Sequence, residues 1–79
     1  MILFDWIGHM ISDTSEEELH KFARKLRFKR EWFQTPGRGI QHAHYDLTTK
    51  RAKQRARDLG AVEVEPEELV KRAWWREVE

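Results

Sequence analysis

His42-Ala43-His44-Tyr45-Asp46-Leu47-Thr48-Thr49-Lys50-Arg51 is the stretch that decides how this chain is built. From Ile40 to Asp46 the chain reads as extended segment or loop. Thr48 and Thr49 are both good helix N-caps, because a threonine hydroxyl can accept from an amide left open in the first turn. Ala52, Ala56 and Leu59 follow as a narrow apolar stripe, and Gly60 is a natural helix stop. The stretch is therefore extended chain or loop delivered into a helix, and alternation of strands with helices is the pattern of α/β folds.

The same alternation extends outward in both directions. Residues 2–7 read as a short strand, apolar apart from Asp5. Gly8 breaks or bends it, and His9 to Ser12 continues as extended chain. A first helix begins at Ser15, where Ser15 with Glu18 makes a capping-box pattern. Glu16, Glu17 and Glu18 suit the positive end of the helix dipole. Leu19, Phe22, Ala23 and Leu26 recur at helical spacing. Phe28 to Gln34, rich in aromatics, reads as a second short strand. Thr35-Pro36-Gly37-Arg38-Gly39 is a turn. Ala61 to Glu65 alternates as a strand, and Pro66 opens a third helix with Leu69, Val70, Ala73 and Trp74 on its buried face. The expected fold is one α/β domain over residues 1–79, a small sandwich of about three short strands and three helices with some parallel pairing.

Composition narrows the function classes. A chain of 79 residues without cysteine has neither disulfides nor thiolate zinc clusters, so burial must stabilise it, helped in the expected reading by self-association. Four tryptophans and four phenylalanines supply large apolar units. The net charge of +1, from 15 basic and 14 acidic residues, argues neither for nor against nucleic acid. No apolar run has the length of a membrane span, and the start lacks the cationic opening of a signal peptide. The expectation is a cytoplasmic protein without a membrane partner.

Chemistry concentrates in the quoted stretch. Lys50 and Arg51 oppose the helix dipole, at a cost of a few tenths of a kcal/mol each, roughly. They make sense if a phosphate or other anion binds there, beside amides that already attract negative charge. Asp46 could instead neutralise them, leaving a plain basic face. On a strand His42, His44 and Asp46 project from one face. Imidazole and carboxylate can hold zinc, manganese or iron, with His9 and Asp13 completing the site. H-x-H-x-D is a short pattern, and surface or hydrogen-bonded histidines are the ordinary alternative. His44 or His9 beside Asp46 or Asp13 could also act as a general base, with Tyr45 donating to developing charge. No nucleophile elbow and no phosphate-binding glycine loop is present. His20 lies beside the apolar stripe of the first helix and faces either the site or the packing. Gln34, after Trp32 and Phe33, could read a purine edge while the aromatics stack on bases; the alternative is that both aromatics are core.

Taken in order, His9-Met10-x-x-Asp13-Thr14, Glu18-Leu19-His20-x-Phe22-Ala23, Trp32-Phe33-Gln34, His44-Tyr45-Asp46-Leu47, and Lys50-Arg51 with Gly60-Ala61 resemble a family of small bacterial and phage proteins known as a domain of unknown function. The resemblance covers roughly residues 9 to 64. It implies that His9, Asp13, His20, Gln34, His44, Tyr45, Asp46, Lys50 and Arg51 occupy the family's polar motif positions, and it implies no reaction. There are departures. The first strand is shorter here, and Arg27-Phe28 follows Leu26 where the family's first helix ends in glycine.

The expected function is a pocket for a phosphate-bearing ligand, a nucleotide or a nucleic-acid end. Lys50 and Arg51 would hold the anion, while Gln34, Tyr45 and His20 would assist binding. His44, Asp46, His9 and Asp13 would orient the ligand or move protons. The alternatives are a hydrolase or nuclease using a divalent metal at the same residues, and an interaction module docking through the basic helix or Trp74-Trp75.

Overall fold

The chain begins with a hairpin. In the computed structural model, which describes residues 1–34 and 43–73, β1 (Ile2–Phe4) turns back through Trp6, Ile7 and Gly8 into β2 (His9–Ser12). The two pair antiparallel, Phe4 opposite Met10 and Ile2 opposite Ser12. Residues 2–12 are thus two strands and not one bent strand. Gly8 makes the reversal possible: its φ of 118° lies where an L side chain is strained. A Cβ there would also sit 2.7 Å from the carbonyl oxygen of Leu47.

α1 (Glu16–Lys25) starts on Ser15, whose hydroxyl accepts from the Glu18 amide at 3.1 Å. The capping box is only half formed. Ser12 Oγ, not Glu18, accepts from the Ser15 amide, at 3.1 Å. The helix ends with Arg27 at φ 63°. The amides of Arg27 and Phe28 donate back to Arg24 and Ala23, each at 2.9 Å, the bonding pattern that glycine normally permits.

Phe28 to Gln34 is not a strand. Arg30–Trp32 forms a single 3-10 turn, with the Trp32 amide on Lys29 and the Phe33 amide on Arg30. Its aromatics are gathered and do not alternate: Phe28 and Phe33 pack around Tyr45, while Trp32 is half exposed. Gln34 alone pairs with the sheet, bridging to His44.

β3 (Tyr45–Asp46) leads into α2 (Lys50–Asp58), capped by the Thr49 hydroxyl accepting from Ala52 at 3.0 Å. Gly60 ends it at φ 105°. β4 (Val62–Glu63) and α3 (Pro66–Arg72) follow. The sheet order is β3-β2-β1-β4, antiparallel except for the β1–β4 pair, which is parallel as expected for some of the pairing. The fold is a small α/β domain, with four strands and three α-helices among the described residues.

Alternation along the strands divides the side chains between two faces. Ile2, Phe4, Met10 and Tyr45 join Leu19, Phe22, Leu26, Leu47 and Ala56, a core beneath α1 and α2. Leu3 and Ile11 join Leu69 and Ala73, a smaller core beneath α3. Among the described residues no helix is long and apolar enough to cross a membrane. His42, the turn at residues 35–39 and Trp74-Trp75 lie outside the described residues.

Candidate functional site

The face that carries α3 also carries a polar cluster. His9 opens β2 and stands opposite Asp46, which closes β3. His44 lies two residues before Asp46 and so shares its face. The three side chains offer ligand atoms that all lie within 4.8 Å of one another. The His9 and His44 rings meet edge to face at 5.2 Å. His44 Nε2 is 3.2 Å from Asp46 Oδ1, with the His44 side chain 8% exposed and that of Asp46 44% exposed. The cluster is buried at its base and open at one carboxylate. Gln34 Nε2 donates to the other oxygen of Asp46 at 2.5 Å, which orients the carboxylate.

His9 is oriented by a residue that the sequence reading did not place in the site. Asp5 is 1% exposed. Its Oδ1 accepts from the amides of Gly8 and His9 at 2.8 and 2.9 Å, and its Oδ2 lies 3.1 Å from His9 Nδ1. Burial alone would raise the Asp5 pKa. The His9 amide, the His9 ring and the Gly8 amide outweigh it and hold the carboxyl below its ordinary value. The carboxylate thus favours a proton on Nδ1, which presents Nε2 as the basic nitrogen. The signal in the sequence was one acid in an otherwise apolar run, four residues before a histidine, with a glycine between them.

The remaining expected site residues are not all at this place. Asp13 stands at the far end of β2, about 13 Å from His9 at strand rise. There it takes the Met1 ammonium at 2.9 Å and Arg72 at 3.4 Å. Tyr45 faces the opposite side of the sheet from its neighbours His44 and Asp46. Its hydroxyl is 2.8 Å from His20 Nδ1, and Phe33 packs against both rings. His20 and Tyr45 thus belong to the core beneath α1. Lys50 and Arg51 are exposed at the start of α2. They share an edge with the cluster but not its face. One turn on, Lys53 Nζ donates to the Trp6 carbonyl at 2.7 Å and ties α2 to the hairpin turn. A groove of about 300 Å³ lined by Met1, Glu18, Lys21 and Leu59 lies at the other end of the sheet and contains none of the cluster.

A family model described as a protein of unknown function, DUF4031, matches residues 4–75. The chain belongs to the DUF4031 family. The match spans nearly all the described elements and, unlike the resemblance drawn from the motifs, includes Asp5. No curated protein and no solved structure matches the chain. In this DUF4031 chain, then, the cluster itself carries the indication of chemistry.

Two imidazoles and a carboxylate are adequate donors for zinc, manganese or ferrous iron, with further positions left for water or substrate. Donors about 2.1 Å from one ion lie at most about 4.2 Å apart. The spacing observed therefore needs only a small inward adjustment of side chains.

Proposed function

We propose that this chain binds a divalent metal ion through His9, His44 and Asp46 and hydrolyses a phosphate-bearing ligand there. The observation that carries the reading is the cluster's three-donor geometry, backed by a buried carboxylate on Nδ1 of His9. Such second partners fix the tautomer and orientation of metal-binding histidines. An ion held there by His9, His44 and Asp46 would supply Lewis acidity to a phosphoryl oxygen and would lower the pKa of a bound water.

The chain's own groups have separable tasks. Asp5 orients His9. Gln34 orients Asp46. The basic start of α2 supplies positive charge at the edge where the ligand arrives, through Lys50, Arg51 and Lys53. A binding protein and a hydrolase would use the same residues, and turnover distinguishes them.

The test is calorimetric titration of the tag-free protein with zinc and manganese, followed by hydrolysis of an activated phosphodiester. One ion per chain is expected, lost in His44→Ala and in Asp46→Ala. A folded wild-type chain that binds zinc, manganese, cobalt and ferrous iron no better than those variants would end the proposal. Metal binding without turnover would reduce it to a metal-dependent binder.

A further inference from the structure

The turn between β1 and β2 exposes Trp6 and Ile7, at 60% and 52%. They are the residues between Asp5 and Gly8, so they sit on the same short loop as one member of the cluster, His9, and its support, Asp5. Three residues along the chain place the Cα of Trp6 no more than about 11 Å from that of His9.

Looseness does not explain the exposure, for the turn is pinned on every side. Asp5 accepts from Gly8 and His9. The Asp5 amide donates to the His9 carbonyl at 3.1 Å, and the Leu47 amide donates to the Gly8 carbonyl. Lys53 donates to the Trp6 carbonyl. A domain this small needs apolar area, yet it holds a tryptophan outward on a fixed loop near the His9, His44 and Asp46 cluster. Trp32 is also half exposed, but it packs against Phe28 beside the opposite face of the sheet.

We propose that the ligand at this edge is a nucleotide unit, an aromatic base carrying a phosphate, with Trp6 as its stacking surface and Lys53 and Lys50 on its phosphates. This deepens the reading above and rests on it for the position of the reacting phosphate. An indole face suits any base, because every base has a π-face. Lys53 spends one donor on the Trp6 carbonyl and has two more to offer. Lys50 stands three residues earlier on the same helix face. Base and phosphate are thereby offered complementary surfaces side by side, one apolar and one cationic. The same chemistry occurs in a free mononucleotide and at a single-stranded end.

The experiment measures fluorescence anisotropy of a short 5′-labelled oligothymidylate, with thymidine 5′-monophosphate as competitor, in zinc and in chelator. Wild type is compared with Trp6→Ala, Trp6→Phe and Lys53→Ala. Trp6→Ala is expected to weaken binding by roughly 5- to 150-fold, and Trp6→Phe to recover most of it. Lys53→Ala should flatten the dependence of log affinity on log salt by about 0.7. Trp6→Ala and Trp6→Phe should keep wild-type zinc affinity, which shows that the turn is intact. Competition by the mononucleotide at a comparable affinity identifies a free nucleotide; its failure to compete identifies a strand end. Wild-type affinity in Trp6→Ala, or no binding of either probe by zinc-loaded wild type, overturns the proposal. If zinc itself does not bind, the hydrolytic reading fails separately, and the Trp6 comparison in chelator still decides whether a base stacks there.

Discussion

Asp5→Asn removes one charge and almost no volume, and it should disable the cluster from behind. The asparagine oxygen can still accept from the Gly8 and His9 amides, now at 2.8 and 2.9 Å from the carboxylate. The amide nitrogen then replaces the oxygen that lies 3.1 Å from His9 Nδ1. An NH2 group donates, so Nδ1 must accept, and the imidazole proton moves to Nε2. That is the wrong tautomer for a ligand offered through Nε2. Outer partners of this kind change metal affinity about 10- to 100-fold, which is about 1.4–2.7 kcal/mol. Stability should fall too, because two backbone bonds lose a charged acceptor. On the order of 1–2 kcal/mol is expected, or roughly 5–15 °C in melting point for a domain of this size. The assays are zinc titration by calorimetry at neutral pH, nitrogen chemical shifts of the His9 ring, and a thermal melt. A folded Asp5→Asn protein with zinc affinity within about twofold of wild type would refute the argument, and unchanged ring shifts would show where it failed.

Gly8→Ala meets both a positive φ and a backbone oxygen at 2.7 Å. It should cost about 1–3 kcal/mol in a denaturant melt and weaken zinc binding by displacing His9; a neutral outcome would mean that the turn is less constrained than described. Arg27→Gly should act in the opposite direction, raising stability by up to about 1 kcal/mol, since Arg27 occupies a left-handed conformation that suits glycine better. An unchanged or lower melting point would count against that account of the helix end. Tyr45→Phe should lose about 1 kcal/mol with the His20 hydrogen bond yet leave zinc affinity intact, because Tyr45 faces away from the cluster; a matching loss of metal affinity would put it back in the site. Tyr45 is the one tyrosine of the chain, so ultraviolet absorbance reads its ionisation alone. Burial raises its pKa against the opposing pull of Arg30 and Arg24. Its stabilising contribution is therefore present below the unfolded value of about 10 and is lost as pH rises through the folded one. Equal midpoints in buffer and in urea would contradict this.

The helices were legible because their ends are written locally. Thr49 caps α2, Gly60 stops it, and Pro66 starts α3, each within a few residues of where the sequence placed it. The hairpin was not legible. Helices cover both faces of the central strands, so Ile2, Leu3, Phe4, Met10 and Ile11 are all buried and no alternation marks a strand. Its turn is built of Trp6 and Ile7, residues that signal strand more than turn, and only Gly8 betrays it. That omission displaced the site. Read as continuous extended chain, residues 2–12 put His9 and Asp13 together after a strand; folded back, they put Asp5 beside His9 and send Asp13 to the other end. The pairing of His44 with Asp46 was visible from their spacing. The separation of Tyr45 from both was visible by the same rule, but proximity in sequence obscured it. His20, a helix residue, could be assigned to the core only once Tyr45 had a face.

The triplet His44-Tyr45-Asp46 ties two selective pressures to one variable. Its outer residues serve the polar cluster and its middle residue fills the main core, so both tasks depend on the parity of the strand. Insertion or deletion of one residue here would turn Tyr45 out to water and drive a histidine and an aspartate inward. No drift could spoil the cluster by that route while sparing the fold. In a population of variants, those that shift this register would be lost as unfolded protein before any defect in chemistry could be noticed, and changes of length would survive only in even steps.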